Sequence, residues 1–115
     1  MATKTKTTCR TDSEGTKPSA REMRAFFQRV RTEAKRYASR CDLSPNAIAE
    51  IAKAKSSSAR GCTIFCLSPY DPISRAHVLA AFTYAATLYG GNIYYDSIED
   101  VGGMMIIYLT RGALP

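Results

Sequence analysis

"CTIFCLSPYDPISRAHVLAAF", residues 62–82, changes its hydrophobic period half-way, and that change decides the fold. Residues 62–67 form an apolar run between Gly61 and Pro69 and predict a buried strand. From Asp71 or Ser74 onward, Val78, Leu79, Phe82, Ala85, Ala86 and Tyr89 recur at helical spacing until Gly90 and Gly91 stop them. Asp71 is a candidate N-cap with Pro72 in the first turn, and Ser74 is an alternative cap. Further on, "NIYYDS" (92–97) and "GMMIIYLTR" (103–111) read as strands joined by the acidic "IEDVGG" (98–103). A right-handed crossover then sets 62–67 and 92–97 parallel, with the helix across one face and the last two strands as an antiparallel hairpin.

Towards the N-terminus, Ser19 and Glu22 make a capping box ahead of Met23, Phe26, Phe27, Val30, Ala34, Tyr37, Ala38 and Cys41, which predicts a helix over 20–41. A second helix follows in "LSPNAIAEIAKAK" (43–55), with Ser44 as N-cap, Pro45 in the first position and Leu43 stapled to Ile48. "SSSARG" (56–61) reads as a loop. The fold class is therefore α/β (α+β): a two-layer sandwich in which N-terminal helices precede a strand-helix-strand-strand unit with a small mixed sheet. Residues 1–18 lack large apolar side chains beyond Met1 and read as a flexible basic tail; residues 19–115 read as a single compact domain.

The formal net charge is +6, and it is unevenly spread. Residues 21–60 carry ten Lys/Arg against four Asp/Glu, whereas residues 61–115 carry two against four. Along the first helix Arg21, Arg24, Arg31 and Lys35 line one flank of the apolar stripe, and Arg29, Arg36 and Arg40 line the other. Lys53, Lys55 and Arg60 cluster at the exit of the second helix. A positive surface of this kind points to an acidic partner, most simply nucleic acid.

Cysteine and histidine chemistry is sparse. Cys62 and Cys66 lie about 13 Å apart in an intact strand, too far to share a metal ion or a disulfide. They read as small buried hydrophobes. His77 is the only histidine, and although Ser74 precedes it by one helical turn, no orienting acid or oxyanion hole accompanies the pair. No enzymatic activity, metal or cofactor is expected. The polar N-terminus has no apolar leader segment, and no run reaches the roughly 20 apolar residues of a membrane span. The expectation is an intracellular protein, cytoplasmic or nuclear, with reduced thiols and no membrane.

Ile73, Ser74, Arg75 and Ala76, opening a helix that follows one strand and precedes two more, resemble the Alba superfamily of small basic nucleic-acid-binding proteins, which includes subunits of RNase P and MRP. The likeness extends over residues 61–111. Tyr70, Asp71 and Pro72 stand where that family has a glycine and basic pair, and the hairpin that is often basic there is acidic here. The resemblance implies nucleic-acid binding and carries Arg75, with Ser74 beside it, across as candidate contacts.

The functional expectation is a non-catalytic nucleic-acid-binding protein, RNA ahead of DNA. Arg24, Arg31, Lys35, Lys53, Lys55, Arg60 and Arg75 would contact phosphates, and Tyr70, Tyr94 or Tyr95 would stack on unpaired bases. The alternative is a protein-interaction module, such as an assembly subunit or a small viral-type inhibitor docking on a partner protein. "YY" and "MMIIYL" offer more apolar strand surface than one helix covers, which suits a homodimer or a heteromeric partner.

Overall fold

The computed structural model of the chain describes residues 17–98 and 104–111. Its elements are α1 (Ala20–Arg40), α2 (Pro45–Lys53), β1 (Lys55–Ala59), β2 (Cys62–Leu67), α3 (Pro72–Leu88), β3 (Gly91–Ile98) and β4 (Met104–Arg111). The expected tail lies outside the described residues except at its end, where the Pro18 carbonyl accepts the Gly61 N–H at 2.9 Å. The hairpin segment 99–103 is likewise outside them.

Each helix begins where its cap chemistry dictates. The Glu22 N–H donates to Ser19 Oγ at 3.1 Å and the Ser19 N–H to Glu22 Oε1 at 2.8 Å, closing the capping box of α1. At its other end Leu43 N–H bonds the Ala38 carbonyl at 2.9 Å and Asp42 N–H the Ser39 carbonyl at 3.3 Å, with Asp42 at φ 59°. That pairing is a Schellman motif with a non-glycine residue in the left-handed position. Ser44 caps α2 through the Ala47 N–H, and Asp71 caps α3 through the Ser74 N–H.

The four strands lie in the order β1-β2-β4-β3, antiparallel at every pairing. Two expectations are corrected here. The sheet is not mixed: β2 and β3 run in the same direction, but β4 lies between them. This central place suits the most apolar strand, because both of its edges are paired and Met105, Ile107 and Leu109 are fully buried. Secondly, "SSSARG" is not a loop. Lys55–Ala59 pairs with β2, and the two-residue connection Arg60–Gly61 turns the chain with Gly61 at φ 75°. Serines have little strand propensity, yet an edge strand with one paired side tolerates them.

All three helices cover one face of the sheet. Phe65 of β2 sits between Phe27 of α1, with ring centroids 4.9 Å apart, and Phe82 of α3, at 4.6 Å, so one side chain joins both large helices to the sheet. Gly91 has a specific reason to be glycine: a Cβ there would lie 2.9 Å from the Phe26 ring and from the Thr110 carbonyl oxygen. The strand 62–67 is buried on one side only. Thr63, Phe65 and Leu67 enter the core, while Ile64 and Cys66 face outward and are exposed and Cys62 is half-buried, so the two cysteines do not act as core hydrophobes. Strand alternation in the register explains this.

Candidate nucleic-acid interface

α1 and β1 lie side by side and run in opposite directions. The Pro18–Gly61 bond ties the start of α1 to the end of β1, and at the other end Arg31 donates from a guanidinium nitrogen to the Ala54 carbonyl, 3.3 Å away, just before β1. About 20 Å of α1 separates these ties. Six of the seven expected site residues fall along this strip. Arg60 sits in the turn near the start of α1, Arg24 and Lys35 are exposed on the helix, and Lys53 and Lys55 flank the Ala54 carbonyl that Arg31 holds.

Their states differ. Arg24, Lys35 and Lys55 are exposed, with no partner among the described residues. Arg31 is half-buried: besides Ala54 it donates to Gln28 Oε1, and its guanidinium carbon lies 5.6 Å from the Phe27 ring centroid. Lys53 pairs with Glu50 at 3.1 Å. The structure does not bring Arg75 to the strip. It lies at the start of α3, beside the N-terminal end of α2, and its Nε donates to the Pro69 carbonyl at 3.5 Å. The length of α2, about 13 Å, separates that point from Lys53.

The two carboxylates of α1 are outnumbered by its seven cations. Glu22 is engaged by the Ser19 backbone N–H and then by its hydroxyl, which together hold its carboxyl below the usual range. Glu33 is buried and bound to Arg36. The solvent face of the helix carries Glu22 near its start and is otherwise dominated by cations.

The second flank of α1 holds groups that sequence reasoning left out of the site. Tyr37 of α1 stacks on Tyr84 of α3, with centroids 4.5 Å apart and planes inclined by 21°. Arg40 lies 5.7 Å from the first ring and 5.9 Å from the second. Arg29 lies 4.7 Å over Tyr89. Tyr37 and Tyr89 follow the helical apolar period and read as core, so the spacing of Tyr37 and Arg40, one turn apart, was the available signal.

Around the start of α3 the polar groups serve one another. Ser74 is fully buried; its N–H donates to Asp71 Oδ1 at 2.7 Å and its hydroxyl to Oδ2 at 2.9 Å. Ser44 Oγ lies 2.6 Å from Ser74 Oγ, and the Ser44 N–H donates to His77 Nδ1 at 2.9 Å. The Ser74 bonds, backbone first, hold the Asp71 carboxyl below the usual range. His77 thus accepts from a backbone amide and activates no hydroxyl, so the arrangement joins α2 to α3 and assembles no nucleophile with its base. Among the described residues no three His, Cys, Asp or Glu side chains are grouped to hold a metal ion, and no helix is long and apolar enough to cross a membrane.

No family model, no curated protein and no solved structure matches the chain.

Proposed function

We propose that the chain is a non-catalytic nucleic-acid-binding protein whose contact surface is the basic strip along α1 and β1. The observation that carries this reading is the excess of positive charge on α1. α1 carries seven cations against two carboxylates, and one of these, Glu33, is buried and paired with Arg36. A row of ammonium and guanidinium groups supplies the sequence-independent phosphate term that dominates nucleic-acid affinity. Arg24, Lys35 and Lys55 are its members without a partner among the described residues. Arg31 braces α2 and Arg75 braces the chain before α3, so both contribute field more than contact.

The test is a fluorescence-polarisation titration against single-stranded RNA, duplex RNA, single-stranded DNA and duplex DNA at low and moderate salt. Binding that weakens linearly with the logarithm of salt concentration is expected. No binding to any of the four at low salt removes the reading.

The outer face of the sheet supports a second reading, docking on a protein. Ile64 is 41% exposed and Tyr94 45%, with Tyr108 paired opposite both on β4. No described helix covers that face, and an apolar surface of this kind commonly marks a partner. Light scattering of the purified chain checks the homodimer directly. A monomer at all concentrations removes self-association.

A further inference from the structure

We infer that the seam between α1 and α3 stacks unpaired bases, which makes the ligand single-stranded nucleic acid; this rests on the binding function proposed above. The seam is built differently from the strip on the other flank of the helix. Tyr84 has one ring face against Tyr37 at 4.5 Å and remains 38% exposed. One turn further along α3, Leu88 is 53% exposed. Arg40 is nearly equidistant from the two tyrosine rings, 5.7 Å and 5.9 Å, which places its charge beside the pair. Outward stacking on Tyr84 is therefore not taken up by the guanidinium.

This is the composition that single-strand binding requires. A base offers a π-face to any exposed aromatic ring irrespective of its identity, and a neighbouring cation neutralises the phosphate that follows it. Arg29, over Tyr89 at 4.7 Å, provides a second cation along the same seam. Both arginines are held by rings and not by carboxylates, so they are positioned without being neutralised. Arg36 is bound to Glu33, and exposed Asp42 follows the C-terminal end of α1 by two residues in sequence. A duplex keeps its base faces stacked inside and can use only the charges. Both flanks of α1 then meet the same strand, phosphates along β1 and bases against α3.

Tyr84→Leu is the informative substitution, because leucine keeps apolar packing against α1 and removes the ring. Affinity of the full chain for a labelled oligouridine strand should fall by about 5- to 150-fold, with affinity for an RNA duplex and the salt slope unchanged. Tyr84→Phe should retain single-strand affinity. Unchanged oligouridine affinity in Tyr84→Leu overturns the inference, as does an equal loss on duplex or an equal loss in Tyr84→Phe. Urea denaturation of both variants identifies a folding defect, and a Leu-variant loss explained by unfolding counts against stacking if the Phe variant binds no better. If the wild-type chain binds duplex as tightly as single strands, or binds single strands independently of Tyr84, the charge-based function stands and stacking alone falls. If it binds neither, both fall.

Discussion

At the start of α3, Asp71, Ser74 and His77 are all held by groups of the fold, whereas along α1 Arg24 and Lys35 have no partner among the described residues. Both segments are rich in polar side chains, and the difference lies in how those groups are satisfied. A buried hydroxyl or carboxylate that finds its donors or acceptors nearby fixes the geometry of two helices. A solvated cation without a counter-charge stabilises the fold hardly at all, and its field is available to a ligand. Exposure and partnership together, not residue type, separate the groups that brace the fold from those left open to solvent.

The largest expected effect breaks the α3 side of this contrast. Ser74→Ala removes the bond to Asp71 Oδ2 and the contact with Ser44 Oγ at a fully buried position, and should lower stability by about 1–3 kcal/mol in urea denaturation. Replacing Arg24, Lys35 and Lys55 together by Ala should change stability by no more than about 0.5 kcal/mol for each residue. Equal losses in the two variants would erase the distinction.

Within α1 the contrast is sharpened by two arginines. Arg31→Ala loses the bond to the Ala54 carbonyl and the packing over Phe27, and should cost about 1 kcal/mol. Arg24→Ala should be close to neutral by the same measurement. If Arg24 proves the costlier, the assignment of bracing to Arg31 is wrong.

Acid sensitivity tests the cap carboxylates. Asp71 and Glu22 titrate lower in the folded chain than in the unfolded one, so their stabilisation is present above the unfolded carboxylate range and is lost as pH falls through their folded values. Stability of the wild type, followed by circular dichroism from about pH 5 downward, should therefore fall more steeply than that of an Asp71→Asn, Glu22→Gln variant. Parallel acid limbs would show that these carboxyls are not the linked groups. A small effect of the opposite sign is expected at Asp42, held at φ 59° in the Schellman turn. Asp42→Gly relieves left-handed strain and should raise stability by a few tenths to about 1 kcal/mol, read as a shift in the denaturation midpoint. A drop would mean that Asp42 makes a compensating contact.

Much of the architecture was legible because local chemistry and tertiary packing agree. The capping box of Ser19 and Glu22, the caps Ser44 and Asp71, and the period of Val78, Phe82 and Ala85 all specify helices that the core then uses. β1 was not legible, since three serines carry a turn signal and their strand conformation comes from pairing with residues 62–66. Strand order was hidden for a related reason: nothing local in "GMMIIYLTR" says that it inserts beside β2. The basic strip was largely visible from helical spacing, but Arg75 was separated from it by the length of α2. The Tyr37–Tyr84 stack joins two helices whose relative placement no single-element pattern encodes.

The most direct test of the basic strip as the contact surface is the salt dependence of binding in the Arg24→Ala, Lys35→Ala, Lys55→Ala variant. Polarisation titrations of a labelled single strand across a salt series should give a log affinity against log salt slope shallower than wild type by about two units, the value for three lost phosphate contacts. An unchanged slope in a folded variant would contradict the assignment of the strip as the nucleic-acid contact.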